Sequence, residues 1–215
     1  MSCPILLLAD PEVASHLRNH LLAENPDLTV AQANTADALH QALTSLGPKT
    51  RLIAFLTDVI VPAKLLAPLD IEPINIHPGP PELPGAHPEV FAIWESAHQH
   101  GVTAHVMTPK VDTGDILHCH RFDIPPGIAR RDLGDLTFAA AVDVFRVISD
   151  HCAISIAPMP RIDATWQGPH RRKQDLKALL EKAHQFDVTT RTRLDRASGM
   201  TARTSAKNDP GISAQ

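Results

Sequence analysis

Residues 5–56 read ILLLADPEVASHLRNHLLAENPDLTVAQANTADALHQALTSLGPKTRLIAFL, and this stretch decides the fold. Apolar runs alternate in it with leucines at helical spacing, which predicts short buried strands separated by amphipathic helices. The strands are predicted at residues 5–9, 28–33 and 52–56. Asp10-Pro11 suits the start of the first helix, and Gly47-Pro48 ends the second. Because strands that alternate with helices need crossover connections, we predict an α/β fold with a Rossmann-like, mostly parallel sheet and helices on both faces.

The chain changes character after a fourth predicted strand at residues 73–77. Residues 78–88 read PGPPELPGAHP, and this proline-rich loop cannot form a helix or a central strand. The elements predicted after it are a helix around 90–97, strands at 102–107 and 116–122, and a helix over 131–149. The units that we expect are a catalytic domain over 1–150, a small C-terminal extension packed on it over 151–196, and a disordered tail over 197–215.

Composition excludes several classes of function. With 215 residues, 43% of them hydrophobic, and a formal net charge of −4, the chain can bury a core but has no basic surplus for nucleic acid. Its three cysteines, Cys3, Cys119 and Cys152, form no CxxC pair, which is typical of reduced thiols. The first apolar run stops at Asp10 and has no basic leader, so neither a signal peptide nor a membrane span is expected. We therefore expect a cytoplasmic protein without nucleic-acid or membrane partners.

A nicotinamide cofactor is not expected either. The first predicted strand-to-helix turn, LLLADPEVAS at residues 6–15, contains no glycine. A dinucleotide site in a Rossmann-like sheet needs glycines at that turn, because the backbone must approach the pyrophosphate closely.

The residues that point to chemistry lie between Ile74 and Leu117. They are Asn75-Ile76-His77-Pro78, Leu83-Pro84-Gly85, Gly101-Val102-Thr103-Ala104-His105 and Asp112-Thr113-Gly114-Asp115-Ile116. In this order, with loop prolines between them, the motifs resemble the catalytic core of the 10-formyltetrahydrofolate-dependent formyltransferase family. That family includes glycinamide ribonucleotide, methionyl-tRNA and sugar N-formyltransferases. The resemblance covers the middle third of the chain closely and the first third in architecture only.

The resemblance implies formyl transfer from 10-formyltetrahydrofolate to an amine acceptor, with Asn75, His77 and Asp112 as catalytic residues. Negative charge builds on the formyl oxygen as the amine attacks, and hydrogen-bond donors aimed at that oxygen lower the barrier. Asn75 and His77 stand two residues apart on one predicted strand, so their side chains face the same side. Asp112 is expected to favour a charged imidazole at His77, to hold a water molecule and to help move the amine proton.

The same resemblance implies the ligand contacts, at the carboxyl ends of the strands. The residues implied for the folate are Thr57, Asp58, Val59, Ile60, Val61, Thr108, Pro109, Lys110 and Val111. The residues implied for the substrate side are Gly79, Pro80, His105 and Gly114. The formyl donor is the only cofactor that this interpretation needs, and no metal is expected.

Departures from the family pattern narrow the range of acceptors that we expect. The turn Asp10-Pro11-Glu12 is acidic and rigid where glycinamide ribonucleotide formyltransferases hold a phosphate, which disfavours a phosphate at this turn. The chain also has neither the length nor the charge expected of a methionyl-tRNA formyltransferase. Residues 166–176 resemble the short C-terminal motif of small sugar-type members, and Gly79 stands where many relatives have serine. We expect an amino sugar linked to a nucleotide as the acceptor, with a homodimer left open.

Other interpretations stay open at this point. The same three catalytic residues would serve a hydrolase that releases formate, and the small size also suits a non-catalytic folate-binding module. Asp112-Thr113-Gly114 matches the aspartic-protease signature, but that chemistry needs two such carboxylates on an all-β frame. His118-Cys119-His120 suggests a metal site, yet in a strand only the two histidines share a face. The segment around Trp166 and Arg171-Arg172-Lys173 is either a grip for the acceptor or a solvated turn beside a packed tryptophan.

Overall fold

A computed structural model describes residues 3–199, which form a six-stranded sheet flanked by helices. The strands are β1 (Ile5–Leu8), β2 (Val30–Ala33), β3 (Arg51–Phe55), β4 (Ile74–His77), β5 (Gln99–Val106) and β6 (Ile116–Asp123). The helices are α1 (Pro11–Glu24), α2 (Ala36–Leu46), α3 (Ala63–Leu66), α4 (Pro88–Trp94), α5 (Arg130–Cys152), α6 (Lys173–Glu181) and α7 (Val188–Ser198), with a 3₁₀ turn at Ala183–Gln185.

The sheet is mostly parallel, which confirms the predicted fold class. The strand order is β2-β1-β3-β4-β5-β6, and the first four strands run parallel to one another. β5 runs antiparallel to both β4 and β6. This reversal pairs Asn75 on β4 directly with His105 on β5, so a short strand and its antiparallel neighbour present their polar side chains together.

Helices cover both faces of the sheet, as the alternating pattern predicts. α1 and α5 pack on one face, where Leu17 and Phe145 join a core that also includes Phe55 of β3. α2 packs on the other face through Leu39 and Leu43. The leucines that recur at helical spacing therefore mark the buried stripe of each helix.

Local signals in the sequence set several helix ends. The Asp10 carboxylate accepts a hydrogen bond from the N–H of Glu12 at 3.0 Å and caps α1. Gly47 takes a φ of +81° and ends α2, which is a backbone conformation that glycine adopts readily. The helix predicted around residues 90–97 ends earlier, at Trp94, because Ser96 takes a left-handed φ of +56°.

The segment after α5 contains more regular structure than its composition indicates. α6 and α7 both fall in it, and α7 packs against α4 and α5. Ala197 lies inside α7 and is fully buried, while residues 200–215 of the expected tail lie outside the described residues. How the chain divides into units stays a prediction. In the stretch 3–199 no helix combines the length and apolarity that a membrane crossing requires.

The packing of α5 on the sheet yields a stability prediction. Phe145 and Phe138 both meet the Phe55 ring edge-on, at 6.1 and 6.0 Å between centroids. Phe145 is 1% exposed and Phe138 is 43% exposed, so only the first truncation leaves a cavity. Phe145→Ala should lower the free energy of unfolding by about 3–5 kcal/mol. Phe138→Ala should lower it by only about 1 kcal/mol. Urea denaturation measures both, and equal losses would contradict the packing described here.

Candidate active site

The pairing of β4 with β5 fixes an amide beside an imidazole. Asn75 Nδ2 lies 3.0 Å from Nε2 of His105, and Nδ1 of His105 lies 2.9 Å from the carbonyl oxygen of Val106. Because a carbonyl only accepts, we assign the His105 proton to Nδ1, which leaves Nε2 to accept from the Asn75 amide. One N–H of Asn75 is held in this way, and its other N–H remains to act as a donor.

Asp112 joins this pair from the loop between β5 and β6. Its Oδ2 accepts a hydrogen bond from the backbone N–H of Gly85 at 2.8 Å and lies 3.4 Å from His77 Nδ1. Its Oδ1 lies 3.2 Å from His105 Nε2, without hydrogen-bond alignment. Among residues 3–199 this buried Oδ1 has no hydrogen-bond partner. Asp112 and both imidazoles are at most 3% exposed, so the three ionisable groups form one buried cluster.

The Asp112 carboxyl is a strong acid in this cluster. Burial raises its pKa, but the contacts with His105, the charge of His77 and the N–H of Gly85 outweigh burial and lower the pKa to about 2. Asp112 therefore carries a negative charge at neutral pH. Its φ of +47° is a left-handed conformation that is uncommon outside glycine, although Asp adopts it more often than most residues.

His77 differs from the expectation of an imidazole kept charged by Asp112. Burial is the largest influence and lowers its pKa, whereas the Asp112 charge and the bond to Leu83 raise the pKa only in part. Nε2 of His77 donates to the Leu83 carbonyl at 3.0 Å. This bond fixes the tautomer, so the lone pair of the uncharged ring is on Nδ1, the nitrogen that faces Asp112.

The backbone after β4 is held close to these side chains. Thr103 Oγ1 donates to the carbonyl of Gly79 at 2.8 Å, and His100 Nε2 donates to that of Pro78 at 3.1 Å. A Cβ at position 79 would come within 2.6 Å of His77 Nε2 and 2.7 Å of Pro88 Cβ. This chain therefore leaves no room for a side chain at position 79.

A cleft of about 730 Å³ opens beside the cluster. Asn75, His77 and Asp112 all line it, as does His105. The residues implied for the folate also line it, namely Thr57, Asp58, Val59, Ile60, Val61, Thr108, Pro109, Lys110 and Val111. Gly79, Pro80 and Gly114 lie outside its lining, so their roles on the substrate side stay predictions.

The loops around the cleft do not all follow the carboxyl ends of parallel strands. The loop after β5 starts at the amino end of β4, where the N–H of Met107 donates to the carbonyl of Pro73 at 2.8 Å. It reaches the other end of β4 at Asp112, which binds Gly85. Because β5 runs antiparallel to β4, the loop after β5 begins at the amino end of β4 and runs along the length of β4 to bring Asp112 to the site.

Several cleft residues carried no recognisable signal in the sequence. His87, Glu89 and Arg130 line the cleft together with His170. Arg130 is the first residue of α5, and only the packing of that helix beside the proline-rich loop brings it near His87. By contrast, its charge marks the run Arg171-Arg172-Lys173 in the sequence, and this run lines the cleft.

Two clusters bear on metal binding. His118 and His120 lie on β6, where Cys119 approaches the Thr103 hydroxyl at 3.9 Å. Within residues 3–199 one group, His20, Glu24 and Asp150, brings three potential ligand atoms within 4.8 Å of one another. None of these residues lines the cleft.

Comparisons with known proteins bear on the family and the fold of this chain. The sequence model described as "Formyl transferase" matches residues 11–145, more than half of the chain. A methionyl-tRNA formyltransferase of Pseudoalteromonas translucida (strain TAC 125) is 31% identical over 157 residues, which are 70% of this chain and 47% of that protein. The chain thus spans about half the length of this curated relative.

Solved structures share the fold. A sugar N-formyltransferase from Shewanella sp FDAARGOS_354 superposes with a TM-score of 0.73 at 19% identity, covering 91% of this chain and 87% of that one. The N-formyltransferase of Helicobacter canadensis, in complex with folinic acid and dTDP-3-aminofucose, gives 0.65 at 15% identity, covering 91% and 80%. Both likenesses extend beyond residue 145 into the C-terminal segment.

The anchoring role of His100 makes acid stability testable. Burial is the main cause that lowers the pKa of His100 from 6.5 to about 4. The unfolded chain therefore binds a proton between these values that the folded protein does not, and the free energy of unfolding falls as the pH drops through this window. His100→Gln keeps an N–H near the position of Nε2 and should remove up to about 1.4 kcal/mol per pH unit of that slope. Urea titrations across the window measure it, and an unchanged slope would contradict the prediction.

Proposed function

Since the chain belongs to the formyl transferase family, we propose that it transfers the formyl group of 10-formyltetrahydrofolate to an amine acceptor. The observation that carries this proposal is the convergence of Asn75, His77 and Asp112 on one wall of a cleft large enough for a folate. A likeness to a protein that binds folinic acid adds support on the donor side.

The donor side of the cleft suits a flat heteroaromatic ring. Val59, Ile60 and Val111 line it, and two of them leave apolar surface uncovered, with Ile60 64% and Val111 38% exposed. A pterin placed between the two loops would bury this surface, and backbone groups of the loops would meet its polar edge. Backbone recognition of this kind tolerates variation in the loop sequences.

The reaction makes one bond and breaks one. The amine lone pair forms a bond to the formyl carbon, and the carbonyl electron pair moves onto the oxygen. The free N–H of Asn75 is the donor for that oxygen, because its other N–H is engaged with His105. Collapse of the intermediate breaks the bond from the formyl carbon to N10 of the folate, and the proton that the amine loses must reach that nitrogen.

His77 is the residue suited to carry this proton. With a pKa of about 2, the Asp112 carboxylate is too weak a base to hold a proton near neutral pH. The uncharged His77 ring has a lone pair on Nδ1, since Nε2 donates to Leu83. Taking up the amine proton there creates an imidazolium 3.4 Å from Asp112 Oδ2, which stabilises it. We therefore assign proton transfer to His77 and charge stabilisation to Asp112.

The cationic side chains of the cleft suit an anionic acceptor. Arg130 and Arg172 line the cleft although the chain as a whole carries a net charge of −4, and Lys173 lines it while paired with Asp58 at 3.1 Å. Burial lowers the pKa of His87 there, and the charges of Arg130 and Lys173 lower it further. A phosphate-bearing amine, such as an amino sugar on a nucleotide, fits this field, and the neighbour from Helicobacter canadensis binds an acceptor of that kind. A cytoplasmic location and a homodimer stay predictions.

A screen of amines with 10-formyltetrahydrofolate tests the activity, read by the mass gain of one formyl group. Asn75→Ala should lower kcat by about 100- to 1000-fold, because it removes an oxyanion donor. Asp112→Asn should lower kcat by about 100-fold or more. Asp115→Asn is the matched control, since Asp115 lies in the same loop, is exposed and pairs with Arg161, and its kcat should be unchanged.

Other outcomes of the screen separate the alternatives. Formate release without any amine, lost in Asn75→Ala, would identify a hydrolase. Donor binding without turnover, equal in the wild type and in the Asn75→Ala and Asp112→Asn variants, would identify a folate-binding module and refute the transferase proposal.

The charge of the acceptor is tested by adjacent arginines at the start of α5. Arg130 lines the cleft, whereas Arg131 is exposed outside it. Arg130→Gln should raise KM for the acceptor by roughly 10- to 100-fold through loss of a charge-assisted hydrogen bond, with KM for the folate donor unchanged. Arg131→Gln should leave both constants unchanged. Equal effects of the two variants would argue against an anionic acceptor at this position.

A further inference from the structure

Trp166 packs against the catalytic imidazoles from outside the region that the family model matches. Its ring meets the His105 ring at 5.0 Å between centroids and 90° between planes, and the His77 ring at 5.6 Å and 73°. Its indole N–H donates to the carbonyl of Gly114 at 2.8 Å. Gly114 follows Asp112 by two residues, so this single side chain contacts both imidazoles and the loop that carries the carboxylate.

The segment around Trp166 also holds the proline-rich loop. We call residues 164–172 the strap. The N–H of Gln167 donates to the carbonyl of Pro81 at 2.8 Å, and Arg171 exchanges backbone hydrogen bonds with Pro84 and Ala86 at 2.9 and 2.8 Å. These bonds flank Gly85, whose N–H is the one that binds Asp112.

The position of Gly85 depends on close contact with the strap. Its φ is +96°, and a Cβ there would lie 2.0 Å from the carbonyl oxygen of Arg171. Only glycine lets the two backbones approach this closely. The strap therefore reaches the carboxylate by two routes, through the Trp166 side chain and through the Gly85 backbone.

Trp166 is not among the residues that line the cleft, although its neighbours His77 and His105 are. A substrate in the cleft meets the imidazoles from one side while the indole supports them from another. Any influence of Trp166 on the reaction must consequently pass through the two rings and the Asp112 loop.

We propose that Trp166 is a positioning residue, which holds the imidazoles of His77 and His105 in register with Asp112 and keeps water away from them. The proposal rests on the proposed function for its kinetic consequences, but its structural content does not. Loss of the indole opens the side of the cluster away from the cleft. Both rings can then rotate away from the carboxylate, and an error of about 1 Å in a reacting group costs on the order of 100-fold in rate.

The indole also affects the charge of His77. Burial is the main influence that lowers the pKa of His77, and its charged or titratable neighbours are Asp112 from the β5–β6 loop, His105 and His100 from β5 and His170 from the strap. Water admitted by removal of Trp166 weakens the effect of burial while Asp112 remains beside the ring. The pKa of His77 should therefore rise in the variant.

The experiment uses the full chain with Trp166→Ala, Trp166→Phe and the matched control Trp94→Phe. The chain has two tryptophans, and Trp94 contacts Phe186 on the far side of α4 rather than the histidines. Trp166→Ala should lower kcat by about 10- to 100-fold. KM for the folate donor should change little, because the indole does not touch the cleft. Trp166→Phe keeps an aromatic ring and should recover most of the rate, and Trp94→Phe should match the wild type.

Two readouts need no turnover. In NMR titrations the His77 imidazole should titrate at higher pH in Trp166→Ala than in the wild type. In Trp94→Phe, Trp166 is the only tryptophan, and its fluorescence should fall as the His77 imidazole takes up a proton, because an imidazolium quenches indole emission more than a neutral ring does. If no amine is formylated by any variant, the proposed function fails while these readouts still decide the role of Trp166.

The outcomes are separable. A kcat loss at unchanged donor KM, a raised His77 titration and a pH-dependent Trp166 emission support the positioning role. Trp166→Ala with wild-type kcat, or with an unshifted His77 titration, overturns it. Should Trp166→Ala fail to fold, Trp94→Phe decides the role of Trp166. Trp166 emission that changes with pH in the folded protein but not after urea unfolding supports the proposal, and the same pH dependence in both states overturns it.

Discussion

One buried negative charge organises this protein. The Asp112 carboxylate is 3% exposed, and a carboxylate withdrawn from water to that degree must be surrounded by donors or positive charge. Within residues 3–199 its hydrogen bond comes from the N–H of Gly85 after β4, and the imidazoles of β4 and β5 lie 3.4 and 3.2 Å from its oxygens. A shift of the Gly85 loop would remove this hydrogen bond from the buried charge. The left-handed backbone at Asp112 is part of the same constraint, because the packed surroundings must hold a conformation that the isolated chain disfavours.

Much of the fold could be predicted because it depends on local rules. Strand and helix alternation in residues 5–56, the Asp10 cap and the Gly47 end follow from side-chain periodicity and backbone preference, and the structure contains all three. The antiparallel course of β5 could not be read in this way, since strand direction depends on how a connection packs. Likewise α7 lacks a long apolar run, and its burial depends on the surface that α4 and α5 provide.

The residues of the site also differ in whether local rules or long-range contacts place them. Asn75 and His77 are two residues apart on one strand, so their common orientation follows from the alternation of side chains. That His105 lies opposite Asn75 requires the register of two strands, and that Trp166 contacts His105 requires a segment 61 residues further along the chain. The resemblance to a family placed His105 on the substrate side of the site without giving this register, whereas Trp166 lies outside the region that the family model matches. The charge state of His77 could not be predicted from the sequence either. The Asp112 carboxylate raises the pKa of His77 and burial lowers it, and only the geometry of the site decides which effect is larger.

The opposite effects of burial and of Asp112 on the pKa of His77 have a chemical consequence. A neutral ring beside an ionised carboxylate is a buried lone anion, which is the less favourable arrangement in a medium of low dielectric. A proton arriving at Nδ1 of His77 turns the lone anion into an ion pair that both Asp112 and the Leu83 carbonyl stabilise. Burial thus keeps the ring uncharged at rest, and in the proposed reaction the ring takes up a proton as the amine becomes positively charged. If the Asp112 carboxyl had a higher pKa, it would take up the proton instead of His77. If the His77 ring lay further away, the carboxylate would no longer stabilise the imidazolium. With 3.4 Å between Nδ1 of His77 and Oδ2 of Asp112, burial keeps the ring uncharged at rest, and the Asp112 carboxylate stabilises the imidazolium during the proposed reaction.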